Sequence, residues 1–346
     1  MSLGGRGIRG TGAVLGGSGI SLSGGGGGFT GLLNDYPDAA AAYSVRRLSS
    51  TYEGSLIEVR RTVSATTVTA DVAYDDNNEL SLDSLITVTG GSSSATSLGE
   101  FVAASGYSDP DSLGSGADAF VRTWYDQSGN SNNAQQTTTS NQPQIVSSGS
   151  TITENSKPCV LFDGSADILT ASYSIGSDVT IFNVTTHTNA PTANESHWSL
   201  CNSPSAYDRY ELRADGTVFE NFIRESSGDG GSFVSETIET QDTNQNLFSS
   251  ALLSSTNYAW TNGVNKINAS ATGLSMPNST VIALGGLFTS LPVFFLDGNI
   301  QEFILYPSDQ LTNRTGIESN INTYFSIYSP PGGIGTWAIG TTFVIQ

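Results

Sequence analysis

Trp124, Tyr125 and Asp126 stand side by side in the stretch FVRTWYDQSGNSNNAQQ, Phe120 to Gln136, and a string of amides and hydroxyls follows them. Aromatic rings with carboxylates and amides close by suit saccharide recognition: the ring covers the apolar side of a sugar and the polar groups take its hydroxyls. The same residue types also make a strand and the turn that ends it, because Asp bonds back to the main chain and Gly supplies a positive φ. Trp124, Tyr125 and Asp126, with Trp198 and Tyr207 further along, are the candidate ligand contacts. Alternation sets Phe120, Arg122 and Trp124 on one side of a strand and Val121, Thr123 and Tyr125 on the other, and one set is expected in the core.

Other reactive groupings are sparse. His187 and His197 are the only histidines, and no Cys/His spacing surrounds them, so no metal centre is expected. DDNNEL at 75–80 and SDPDS at 108–112 offer oxygen atoms but not the twelve-residue EF-hand order. Calcium is the one ion these loops could take, and no other cofactor is implied. GGSGIS at 16–21 has the outline of a G-x-S-x-G nucleophile turn but lies in low-complexity sequence, which gives it no strand or helix to sit between.

Composition bounds the partners. Of 346 residues 39 are glycine, and charged residues make up 13%, against roughly 25% in ordinary soluble domains. Asp and Glu number 32 against 13 Lys and Arg, for a net charge of −19. An acidic surface repels nucleic acid and anionic membranes, so neither is an expected partner. Two cysteines, Cys159 and Cys201, cannot form a disulfide framework; they could pair once, but read as two buried thiols. The opening MSLGGRGIRG lacks the apolar core of a secretory signal, and no run approaches the roughly 18 apolar residues of a membrane span.

The elements that must position these residues are short. Residues 37–48, PDAAAAYSVRRL, read as a short helix, with Pro37 in its first turn and an alanine run behind it. Ser55 to Tyr74 reads as two strands with a turn near Ser64–Thr66, and Ser97 to Gly106 as a second short helix with a serine cap. From Phe120 onward strand-forming runs alternate with breakers, and Asp-Gly in RADGTV and Asn-Gly in WTNGVN signal hairpins. SDQLTNRTGIESNINTYFSIY, from Ser308, carries apolar residues near helical spacing. The organisation is an arm over 1–31, one β-sandwich domain over 32–328 and a tail over 329–346. The arm holds 14 glycines in its 31 residues. Such a chain loses much entropy on ordering and has little to bury, so partner subunits are expected to fix it. Ile8, Val14, Leu15, Ile20 and Leu22 are its candidate assembly anchors, joined by Trp337 and Phe343 in the tail.

The segments DAAAAYSVRRLSSTYEGSLIEVRR, FVRTWYDQSGNSNNAQQTTTSNQPQIV and PCVLFDG together resemble the catalytic domain of arabinofuranosidase B, and more closely the arabinofuranosidase B-like modules of bacterial surface proteins and phage structural proteins. The specific part runs from about Tyr36 to Gly164; the later part, ending FLDGNIQEFILYPSD, is similar in the looser manner of concanavalin A-like and laminin G-like sandwiches. The resemblance implies an all-β, two-sheet jelly-roll β-sandwich with a few short helices. It also implies a retaining glycosidase site of two carboxylates. The family's acid is an Asp after a Gly-Gly pair, and IALGGLFTS places Leu287 there. Its nucleophile is a Glu in a mid-domain strand. Glu211 in DRYELRADG is the nearest candidate, although its neighbours do not match the family's.

A leucine cannot donate a proton, so no catalysis is expected; Glu211 is the one residue an alternative hydrolase reading would need. The expected function is that of a phage virion structural protein, a capsid decoration or a tail-fibre or adhesion component. It would be anchored through its arm to other virion proteins, form a symmetric homo-oligomer such as a trimer, and touch cell-surface glycans weakly. The alternative is a glycan-binding adhesin module.

Overall fold

The computed structural model describes residues 29–191, 193–202, 208–225, 232–272, 274, 279–288 and 292–329. The arm anchors Ile8, Val14, Leu15, Ile20 and Leu22, the tail anchors Trp337 and Phe343, and Tyr207 lie outside the described residues.

The molecule is an antiparallel jelly-roll sandwich. In the front sheet the spatial order is Ala134–Gln135, Leu169–Ser172, Val281–Leu284, Glu195–Cys201, Arg209–Asp215, Val218–Arg224 and Phe233–Thr240. The back sheet runs Val264–Ala271, Thr256–Thr261, Asn246–Leu253, Val179–His187 and Asp297–Tyr306. The far side of that last strand is shared by Val160–Asp163 and Ala41–Ser44. Strand Ala119–Trp124 links the sheets at one side, pairing with Ala134–Gln135, with Gln144–Ser147 and with the hairpin Ile57–Val63 and Thr66–Val72.

Local chemistry explains the turns. Ser64 and Ala65 take φ of 50° and 65°, and Asn262 and Gly263 take 53° and 75°, the twist that a two-residue hairpin needs to match its strands. The Asp-Gly turn falls between Arg209–Asp215 and Val218–Arg224, as its sequence signals. Residues 37–48 are a correction: Ala41–Ser44 is a fully buried strand in register with Leu305 to Glu302. Alanine's helix preference is a few tenths of a kcal/mol per residue, and burial against a ten-residue central strand outweighs it. The helix expected after Ser97 is a single turn, Leu98–Phe101, with Ser97 accepting from the Glu100 amide.

The sheets meet through Trp198 and Phe303, with ring centroids 6.1 Å apart, and through Phe219 and Phe248, 5.0 Å apart. Helix Arg314–Phe325 covers the outer side of the back sheet, burying Ile317, Ile321 and Phe325 and placing Glu318 on Ser249. One hydrophobic core runs from Leu32 to Phe325. Cys159 and Cys201 are free and buried, as expected.

Candidate functional site

The stretch after Phe120 divides between core and scaffold. Trp124 is fully buried, its indole N–H donating to the Ser44 carbonyl at 3.2 Å. Asp126 is 5% exposed, and its carboxylate accepts from the amides of Ala42, Ser128 and Asn132 and from the Ser128 hydroxyl, all within 2.9 Å. Trp198 is fully buried against Tyr210 and Phe303. These three placements correct the expectation that they contact a ligand: a sugar cannot reach a ring inside the core or a carboxylate saturated by its own turn. Tyr125 is half-buried and donates to Asp71 at 2.6 Å. Burial and that bond raise its phenol pKa, and burial likewise raises the Asp71 carboxyl.

The calcium candidates are occupied by protein donors. Asp75 accepts from the amides of Asn77 and Glu79 and the hydroxyl of Ser81, Asp109 from the amides of Leu113 and Gly114, and Asp111 from Arg61 and the Ser94 amide.

The turn that Asp126 braces presents a different surface. Asn130 and Asn132 donate to the carbonyls of Ala39 and Ala40, which fixes the loop to the strand beneath. Beyond it lies a groove of about 620 Å³ walled by Asn132, Gln136, Asn141, Thr170, Phe288 and Pro292 among others. A hollow of about 450 Å³ continues past Phe288 along Tyr173 and Thr280. Every described residue lining either space is uncharged. In a chain of net charge −19 this is a neutral, hydroxyl- and amide-rich strip lined by two aromatic rings, Phe288 and Tyr173.

A single row of cross-strand partners joins the groove to Glu211. It runs Gln135, Thr170, Ala283, Ser199, Glu211, Phe222 and Ser235, each opposite the next. Directly opposed residues share a face, so the row lies on one face of the front sheet, and six strand spacings make it about 29 Å long. Glu211 is fully buried. One of its oxygens accepts from Arg209 Nε at 2.7 Å and lies 3.5 Å from Arg213; the other, Oε2, has no hydrogen-bond partner among the described residues. Arg209 and Arg213 lie over the Phe222 ring at 4.5 and 3.9 Å, and Phe222 stacks on Phe233 at 5.7 Å.

Leu287 reaches the same face. Gly285, at φ +79°, turns the chain where a Cβ would meet the Phe162 ring at 2.0 Å, so only glycine fits. Leu287 is 2% exposed and packs with Cys201, Val281, Phe288 and Phe294. The Cys201 thiol donates to the Phe288 carbonyl at 3.3 Å, and its pKa is pushed up to about 11, chiefly by burial, with Glu211 adding to the rise. Leu287 and Glu211 are thus both neighbours of Cys201. On this face a buried carboxylate, Glu211, and a buried leucine, Leu287, flank the same thiol.

Missed in the sequence were Asn141, Thr170 and Phe288, which come from three separate segments, and the pairing of the two histidines. His187 and His197 face each other across the core with Nε2 atoms 2.7 Å apart. No local motif marks either feature.

Fold and face together define an all-β jelly-roll sandwich with an open neutral groove and a buried carboxylate, Glu211. No protein-family model matches the chain, and no curated protein matches it. Among solved structures it is similar to an arabinofuranosidase complexed with arabinofuranosyl-α-1,2-xylobiose, at 14% identity over 84% of this chain and 64% of that one, with a TM-score of 0.49. It is also similar to a GH54 α-L-arabinofuranosidase soaked with a cyclic sulfate inhibitor, at 14% identity over 82% of this chain and 62% of that one, TM-score 0.44. A third is the CBM40 module of a Ruminococcus gnavus IT-sialidase bound to α2,3 sialyllactose, at 14% identity over 42% of this chain and 83% of the module, TM-score 0.35. The chain spans less than two thirds of either arabinofuranosidase.

Proposed function

We propose that this chain is a display module of a phage particle, a virion structural protein that holds neutral glycans in its groove without cleaving them. The observation that carries the non-hydrolytic part is Leu287. A retaining glycosidase needs a carboxylic acid to protonate the departing oxygen, and a buried leucine beside Cys201 has no proton to give. Glu211 adds support, since its Oε1 is held by Arg209 and the whole side chain is closed from solvent. The groove supports recognition: amides and hydroxyls match sugar hydroxyls, Phe288 offers a ring, and the acidic surface around it disfavours anionic saccharides. The particle role rests on composition, a glycine-laden leader with spaced apolar residues suited to docking on neighbouring subunits.

Three assays separate the parts. The full chain incubated with an aryl arabinofuranoside is expected to show no turnover; turnover abolished by Glu211→Gln would make it a hydrolase instead. Neutral oligosaccharides on a glycan array are expected to bind, and Phe288→Ala to weaken them about tenfold or more. Silence across the array removes the recognition claim. Deletion of residues 1–31 is expected to abolish incorporation into particles, and normal occupancy after deletion removes the anchoring claim.

A further inference from the structure

The two histidines and Thr185 form a hydrogen-bonded chain in the core, with Glu195 beside its outer end. His187 and His197 are 2% and 0% exposed, wedged against the edges of Phe219 and Phe248. A bulge in the Glu195–Cys201 strand puts His197 in the core directly beside Trp198, since Ser196 and Trp198 pair with the adjacent residues Arg213 and Leu212. His197 Nδ1 lies 2.9 Å from Thr185 Oγ1, which lies 2.8 Å from the Asn299 carbonyl oxygen. At the outer end His187 Nδ1 lies 3.4 Å from Glu195 Oε2, close enough to feel its charge but with no hydrogen-bond partner among the described residues.

The polarity of this chain is fixed by counting hydrogens. A threonine hydroxyl has one, and the Asn299 carbonyl only accepts. With the hydroxyl spent on Asn299, His197 must donate from Nδ1 and accept at Nε2. His187 then donates from Nε2, and its Nδ1 bears a lone pair facing Glu195. That arrangement is satisfied only when Glu195 carries a proton to donate. When Glu195 is a carboxylate the satisfied arrangement is the reverse: His187 donates from Nδ1 to Glu195, His197 donates from Nε2 to His187, and the threonine hydroxyl turns to His197 Nδ1.

We propose that Glu195, His187, His197 and Thr185 form a proton-linked switch in which loss of the Glu195 proton, felt at His187 Nδ1, reverses the hydrogen bonds from His187 through His197 to Thr185 and releases the Asn299 carbonyl. The balance is one proton to solvent; each imidazole keeps one hydrogen and moves it to its other nitrogen. Burial keeps both rings neutral, with His187 pushed down to about 4, and the same burial pushes the Glu195 carboxyl up. The charged groups facing the network are Asp297, held by Asn189 at 2.8 Å, and Asp242 ahead of the Asn246–Leu253 strand; Arg213, opposite Ser196, engages Glu211 and Glu220 instead.

The switch lies beneath the groove wall. Ser196 N donates to the Phe294 carbonyl at 2.7 Å, Gly285 N to the His197 carbonyl at 2.9 Å, and Asp297 N to Glu195 Oε2 at 2.9 Å. These three bonds clamp the segment that carries Phe288 and Pro292 into the groove.

The test is long-range nitrogen–proton NMR of the full chain with labelled histidine, followed through a pH titration. His197 is expected to pass from the Nδ1–H to the Nε2–H tautomer with the midpoint of the Glu195 carboxyl. Glu195→Gln, whose amide donates at every pH, is expected to hold His197 in the Nδ1–H form throughout. Thr185→Ser is expected to keep the transition, and Thr185→Val to lose the low-pH form. A His197 tautomer that stays constant while Glu195 titrates overturns the proposal, as does a Glu195→Gln chain that still shows the transition. Unchanged near-ultraviolet circular dichroism certifies that each variant is folded.

Discussion

Asp126 shows how one residue type serves two opposite expectations. Its carboxylate gathers three backbone amides and a hydroxyl, and this ties the Ala41–Ser44 strand to the loop that builds the groove. Removing a buried acceptor leaves its donors dry, which costs more than the bond was worth. Asp126→Ala is expected to lose about 3 kcal/mol of stability, measured by urea denaturation, and to weaken groove binding through the loop. The turn chemistry was legible from the Asp-x-x-Gly string. Which face of the preceding strand goes inward was not, because alternation gives two sets and burial alone chooses. The structure mixes the two sets: an irregularity opposite Glu58–Val59 buries Val121, Thr123 and Trp124 and leaves Phe120 and Arg122 half-buried, and the Trp124 indole donates to the Ser44 carbonyl.

At the scale of elements, the turn between Val160–Asp163 and Leu169–Ser172 carries a testable cost. Asp163 Oδ1 accepts three amides of this turn, and Asp167 is packed beside it with its pKa raised to about 7, first by burial and then by the Asp163 charge. The sign follows from proton counting. Between the ordinary aspartate value near 3.9 and about 7, the folded chain binds the proton that the unfolded chain has lost. Asp167 therefore destabilises the fold progressively as pH rises through that window, and fully above it. Asp167→Asn is expected to raise the melting temperature at pH 8 and to leave it unchanged at pH 3.5, read by calorimetry at both. Elements also show where propensity misleads. The alanine run at 39–42 favours a helix in isolation, yet its positions abut the Asp297–Tyr306 strand, where small side chains let strands and core pack closely. Hairpins signalled by Asn-Gly and Asp-Gly were legible because the constraint is local.

For the whole molecule the dominant quantity is the net charge of −19. Like charges over one surface repel, and salt screens them within a Debye length of about 10 Å at 0.1 M. Raising sodium chloride from about 0.01 M to about 0.5 M is expected to raise the melting temperature, since ion pairs such as Arg46 with Glu302 and Arg209 with Glu211 are buried and escape the screening. A flat or falling profile would show that exposed ion pairs outweigh the repulsion.

The sequence by itself determined the all-β class, the hairpin turns, the terminal helix and the buried thiols, because each depends on residue type and neighbours close along the chain. Tertiary structure alone decided the rest: the row from Gln135 to Ser235, the neutral groove, the burial of Trp198 and the facing of His187 with His197. Those features unite segments far apart along the chain, and their partners are chosen by how two sheets stack and register, a property of the whole packed chain and of no single stretch of it.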